Sequence, residues 1–115
     1  MTRKVILESP YGAKTPELIE RNVRYARACV RDSLMRFEAP IASHLLYTQP
    51  GILKDEIGAE RNMGISAGLA WLVVADATVL YVDLGISVGM GHGIEVAKKA
   101  GIPVEKRTLP VGIWK

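Results

Sequence analysis

Asp83, Gly85, Ser87, Gly89, Gly91 and Gly93 stand two apart in the run DLGISVGMGHG, and the glycines leave few Cβ atoms to block a closely held ligand. Ahead of the run, Ala77 to Val82 (ATVLYV) is apolar and β-branched, the pattern of a strand covered on both faces. After it, Ile94, Val96, Ala97, Lys98 and Lys99 restart a helix that Gly101 and Pro103 stop. A helix N-terminus presents unpaired N–H groups and partial positive charge, so a strand, a glycine-rich turn and a helix start can hold an anion at the strand's carboxyl end. Glycines after a strand equally serve a tight turn and close helix packing. The run lacks the dinucleotide fingerprint, Gly-x-Gly-x-x-Gly after the first strand with an acidic residue about twenty positions on, and it lacks the Gly-Lys-Ser/Thr of a Walker A loop.

Further chemistry-bearing residues fall where other strands end. Lys4 to Leu7 (KVIL) reads as the first strand, closed by Glu8-Ser9-Pro10-Tyr11-Gly12, a turn marked by Pro10 and Gly12. Ligands of open α/β sheets sit outside the carboxyl ends of the strands, which places Ser9, Tyr11 and Gly12 beside Ser87. Pro40 to His44 (PIASH) reads as a second short strand, with His44 at its carboxyl end and Tyr47 just beyond. There His44 is a ligand contact or a satisfied structural residue. The loop Pro50 to Asp55 is long enough to cover a crevice or reach a neighbouring subunit. Glu60 and Arg61 open the regular part of the next helix, where their pairing is an ordinary surface ion pair or Arg61 reaches a ligand.

The elements that must position these residues alternate as β-α-β-α-β-α-β. Thr15-Pro16-Glu17 starts the first helix, and Ile19, Val23, Ala26, Val30, Leu34 and Phe37 recur at helical spacing, predicting one stripe packed on the sheet. Glu56 to Ala75 is helical, with Ile65, Leu69 and Leu72 on one face. Ile102 to Leu109 supplies a more polar edge strand, and the tail from Pro110 carries Ile113 and Trp114 as residues expected to face outward or dock on another subunit. The expected fold is α/β: one domain, residues 1–115, with a small parallel four-stranded sheet and helices on both faces, Rossmann-like in outline.

Composition narrows the function classes. A 115-residue chain with 49% hydrophobic residues is a folded domain with a single core. No apolar run reaches the roughly 18 residues of a membrane span, and Met1-Thr-Arg-Lys leads into a strand, so a cytoplasmic protein is expected, with no membrane partner. The lone Cys29 has no Cys or His at ligand spacing; packing is its expected role, and neither a metal nor a cofactor is expected. Net charge is +3, with Arg21, Arg24, Arg27, Arg31 and Arg36 on the first helix. Only 6% of the chain is aromatic and Tyr25 alone falls among these arginines, which favours a solvated face over a nucleic-acid surface. So small a sheet leaves apolar helix surface uncovered, which predicts a homo-oligomer.

The segments Ser9-Pro-Tyr-Gly, SHLLYTQPGILKDE with AERNMGISAGLAWLVVAD, and DLGISVGMGHGIEVAKKAGIPV together resemble the nucleoside 2-deoxyribosyltransferase-like superfamily, in particular its small uncharacterised branch from bacteria and phages. The similarity runs from about Val5 to Leu109. It implies a nucleoside or nucleotide held at the strand ends. Members with known chemistry cleave an N-glycosidic bond through a carboxylate that attacks C1′ of the sugar. Their pattern resembles Ser/Asp-x-Gly-x-x-x-Glu-Ile-x-x-Ala; here Ser87, Gly89, Ile94 and Ala97 match, and Gly93 occupies the nucleophile's position. Asp76 matches the acidic residue before the third strand, as a helix cap or a sugar-hydroxyl ligand.

Two expectations follow from that departure. The first is a pocket that binds a nucleotide or nucleotide-derived small molecule without cleaving it, which in a phage would suit an anti-defence sponge for an immune signal. Its contacts would be Ser9, Pro10, Tyr11, Gly12, His44, Tyr47, Arg61, Asp83, Ser87, Gly89 and Met90, with Tyr11 or Tyr47 stacking on a base and Arg61 reaching in from a second subunit. The second is an N-glycosidase or deoxyribosyltransferase whose nucleophile is Asp83 or Glu95, with His44 or Tyr11 assisting the leaving base. Glu95 lies about 200° around the helix from position 93, so it needs a shifted register to serve. A scaffold with a vestigial pocket is the remaining alternative.

Overall fold

A computed structural model describes residues 2–114. Its elements are β1 (Arg3–Glu8), α1 (Pro16–Met35), β2 (Glu38–Ile41), α2 (Ser43–Leu46), α3 (Gly58–Ala70), a 3₁₀ turn (Trp71–Val74), β3 (Ala77–Tyr81), α4 (Val88–Lys99) and β4 (Val104–Arg107). The four strands pair in parallel in the order β2-β1-β3-β4, so the chain is α/β with an all-parallel sheet. It winds from β1 to β2 on one side and then crosses to β3 on the other. The direction of winding therefore switches between β1 and β3, and the gap that opens at their carboxyl ends is where such sheets hold ligands.

All five residues of β3 are buried, as its unbroken apolar run requires. Period-two alternation divides the central strands. Val5, Leu7, Val79 and Tyr81 pack with Tyr25 and Cys29 of α1 in the main core. Ile6, Glu8 and Thr78 point the other way, into a cleft beside α4.

The Thr15 hydroxyl caps α1 by accepting from the Leu18 N–H. The buried face of this helix is Asn22, Tyr25, Ala26, Cys29 and Ser33; of the expected stripe, Ala26 is buried, Ile19, Val23 and Val30 are half-buried, and Leu34 and Phe37 are 53% and 86% exposed. Polar anchoring turns the helix. The Asn22 amide donates to the Tyr11 carbonyl at 2.8 Å, the Tyr25 phenol to Asp83 at 2.5 Å and the Ser33 hydroxyl to Glu38 at 2.8 Å. Phe37, at φ 62°, bends the chain into β2 and cannot continue a helical stripe.

A polar network crosses this face of the sheet. Arg107 donates to both Glu38 oxygens at 2.7 and 2.6 Å, Arg3 bridges Glu38 and Glu105, and the Tyr81 phenol donates to Asp32 at 2.6 Å. The Arg107 guanidinium holds the Glu38 carboxyl down at about 2, so the pair is ionised at every working pH.

Two boundaries and the packing of the tail differ from expectation. β2 stops at Ile41, and Ser43 to Leu46, His44 included, form a helical turn in which the Leu45 and Leu46 N–H groups donate to the Ala42 carbonyl. Gly68 lets α3 press on this turn, because a Cβ there would lie 2.8 Å from the Ser43 Cβ. The Ser87 hydroxyl accepts from the Met90 N–H at 3.2 Å and starts α4 at Val88, so Gly89, Gly91 and Gly93 are helical and not a turn. Cap and packing outweigh glycine's poor helix propensity. Finally, Trp114 packs edge-on against Tyr25 at 5.0 Å within its own chain, while Ile113 is exposed.

Candidate ligand-binding cleft

A cleft of about 770 Å³ opens between the carboxyl end of β1, Thr78 of β3, the start of α4, and a wall made by α2 and α3. Its floor is two side chains that neighbouring strands aim the same way. Glu8 is the last residue of β1, and Thr78 stands opposite Ile6 on β3. The Thr78 hydroxyl is buried, the residue 1% exposed, and it has no hydrogen-bond partner among the described residues. Buried hydroxyls are almost always paired, so an unpaired one in a residue that lines the cleft comes at a cost in stability.

Glu8 is mostly buried, and among the described residues no donor reaches its carboxyl. Desolvation raises that group to about 7, so near neutral pH it exists as acid and carboxylate in comparable amounts. Gly93 of α4 makes room for it: a Cβ there would collide with Glu8 Oε2 and lie 3.0 Å from Cδ. The space a side chain at 93 would fill thus holds a carboxyl delivered from β1. Neither floor residue is evident from the sequence: Thr78 sits inside an apolar strand run, and Glu8 reads as part of the turn after a strand ending at Leu7. Continuing the period-two alternation one residue further, with an acidic side chain on the cleft face, was the available signal.

Beside the floor, Ser9 Oγ and His44 Nε2 are 2.6 Å apart. Burial pushes the imidazole down to about 4, so the ring is neutral at pH 7 and the pair carries no charge. Tyr11 and Tyr47 give the walls two aromatic faces, and the Tyr47 hydroxyl accepts from Trp71 Nε1 at 3.1 Å. Charge in the cleft is mostly negative: Glu8, Asp55, Glu56 and Glu60 stand against Arg61, which lies 3.9 Å from Asp55. Glu60 does not pair with Arg61; it accepts from the Lys54 N–H at 3.0 Å.

The structure brings Ser9, Tyr11, Gly12, His44 and Tyr47 to one side of this cleft and Ser87, Gly89 and Met90 to the other, with Arg61 at its α3 wall. Arg61 lines its own chain's cleft. Pro10 is buried outside it. Asp83 is outside it as well, accepting from the Tyr25 phenol and, at 3.1 Å, from the Leu109 N–H, a staple between β3, α1 and the tail. Glu95 is exposed on α4 away from the cleft. Asp76 accepts from the Lys4 N–H at 2.8 Å at the amino end of the sheet and does not line the cleft.

Residues 3–107 match a family described as Domain of unknown function (DUF7768). The chain belongs to this family. No curated protein matches it. The matched span of the DUF7768 domain covers the whole sheet and every residue of the cleft. Among its described residues no helix is long and apolar enough to cross a membrane, and no group of three or more His, Cys, Asp or Glu could hold a metal ion.

Proposed function

We propose that this chain binds a nucleoside- or nucleotide-like small molecule in the cleft at the carboxyl edge of the sheet. The observation that carries the reading is the floor: the mostly buried Glu8 and the buried Thr78 face a cavity of ligand size beside β1 and β3, and neither side chain has a hydrogen-bond partner among the described residues. Tyr11 and Tyr47 offer surfaces on which a base can stack, and the capped start of α4 adds backbone donors. With Asp83 and Glu95 both outside the cleft, neither of the carboxylates weighed from the sequence can act on a ligand there. Binding without turnover would work by sequestration, which keeps the anti-defence sponge as the physiological reading.

Glu8 favours a second reading, N-glycoside cleavage. The resemblance to deoxyribosyltransferases implies a carboxylate at position 93, and the Glu8 carboxyl lies against that position. Its carboxylate would form a bond to C1′ as the bond from C1′ to the base nitrogen breaks, the leaving base taking a proton from water in the open cleft. Water would then release the sugar and restore Glu8.

We also propose self-association in the cytoplasm. α3 and the following turn run from Met63 to Ala75 without a charged residue, yet Met63, Trp71, Val73 and Val74 are exposed, an apolar surface that a second copy would cover. Light scattering should then give a mass above 12.6 kDa, and a strict monomer would refute this.

The functional test is thermal stabilisation by a panel of nucleosides, nucleotides, cyclic nucleotides and ADP-ribose derivatives, with mass spectrometry of the recovered ligand. Stabilisation with intact ligand supports binding alone. Release of free base supports Glu8 chemistry, and should vanish in Glu8→Gln. No stabilisation by any member refutes both readings.

A further inference from the structure

The proposed ligand class spans phosphorylated and unphosphorylated molecules, and resting on that reading, the cleft's own groups discriminate between them. We infer that Glu8 and Thr78 form a hydroxyl-reading floor and that the cleft takes an uncharged, hydroxyl-bearing ligand in preference to its phosphate ester.

The first ground is the Thr78 hydroxyl. It can donate one hydrogen bond and accept two, is buried, and makes none to the described residues. The second is its neighbour on the same sheet face. A carboxylate accepts only, whereas the protonated acid also donates; a hydroxyl is the ligand group that can satisfy Glu8 in either state and can equally pair with Thr78. A phosphate ester, which accepts and hardly donates near neutral pH, would face the ionised form of Glu8 with like charge.

The third ground is the charge inventory. Asp55, Glu56 and Glu60 line the same cleft as Glu8, and the guanidinium that could offset a phosphate, Arg61, already has Asp55 at 3.9 Å. Three carboxylates outside the floor against one arginine repel a dianion wherever in the cleft it sits. The positive end of α4 works against them, but amounts to about half a unit charge within one turn. The neutral Ser9–His44 pair contributes hydrogen bonding without charge.

The test is calorimetric titration of wild type, Thr78→Val and Thr78→Ser with adenosine, guanosine, cytidine, uridine and thymidine, each beside its 5′-monophosphate, and melting of the three proteins alone. At least one nucleoside should bind about tenfold or more tightly than its monophosphate. Thr78→Val, which keeps the shape and removes the hydroxyl, should weaken that nucleoside about tenfold, and Thr78→Ser should restore most of it.

Without ligand, Thr78→Val should melt no lower than wild type, because the hydroxyl it removes has no hydrogen-bond partner among the described residues. Tighter or equal binding of the monophosphates overturns the inference while leaving the nucleoside-or-nucleotide reading intact, as does unchanged nucleoside affinity in Thr78→Val. If nothing in the panel binds, the functional reading fails. The floor assignment is then judged by melting alone, and a Thr78→Val protein that melts several degrees lower overturns it.

Discussion

Replacing Glu8 by glutamine should stabilise the protein, and only above acid pH. Burial raises the Glu8 carboxyl from 4.5 to about 7 in the folded chain. A tenfold change in proton affinity corresponds to about 1.4 kcal/mol, so ionising this carboxyl in place costs about 3 kcal/mol. The direction follows from proton counting. Between pH 4.5 and 7 the folded state holds a proton that the unfolded state has lost, so Glu8 favours folding below that window and its contribution is lost as pH rises through 7.

Glutamine keeps the shape of the neutral acid and does not titrate. Glu8→Gln and wild type should therefore have matching stability near pH 4.5 and separate progressively to about 3 kcal/mol by pH 8. In a chain of this size that corresponds to a melting-temperature gap of about 10 °C or more. His44 acts in the opposite sense. Its pKa is depressed to about 4, so its contribution is present above 6.5 and lost as pH falls through 4. Both proteins carry it, and it cancels in the difference. Chemical denaturation at half-unit pH steps measures that difference; a gap that is absent, or that does not change with pH, would refute the burial of an unpartnered carboxyl on the cleft floor.

Other substitutions probe the elements around the cleft. Gly93→Ala should cost less than about 1 kcal/mol, because the Glu8 carboxyl at the end of its side chain can swing away, but it should lower the pH at which the stability of the protein changes as that carboxyl moves toward water. Gly68→Ala should cost about 1–3 kcal/mol by denaturant melts, since the new Cβ meets the Ser43 Cβ, which is fixed to the backbone of α2. Asp83→Ala should destabilise by about 2 kcal/mol, leaving the Tyr25 phenol and Leu109 N–H without their acceptor, and should leave ligand affinity unchanged in titrations of the folded fraction.

Much of the architecture was legible because it follows from patterns with one reading. The apolar run of β3, the Thr15-Pro16 helix start, and the Gly101 stop, with its φ of 73°, all specify local structure strongly. The rotation of α1 was hidden, because it is decided by long-range hydrogen bonds from Asn22, Tyr25 and Ser33 that no helical period displays. The start of α4 was hidden by glycines that read as a turn, although Ser87, three residues before Met90, was a legible cap.

At the site, alternation and strand ends located Ser9, Tyr11, His44 and Ser87 along one cleft, but the floor depended on side-chain direction. Asp83 and Glu95 were attractive as carboxylates close in sequence to the glycines. The fold instead brings the nearest carboxyl to Gly93 from β1, 85 positions earlier in the chain.

The most direct test of the proposed cleft is a titration of the ¹⁵N-labelled protein with the nucleosides and nucleotides of the panel, followed by amide chemical shifts. Saturable shifts that cluster at Ser9, Gly12, Thr78, Gly89 and Gly93 are the predicted result. Saturable shifts elsewhere on the surface, or none with any member of the panel, would contradict it.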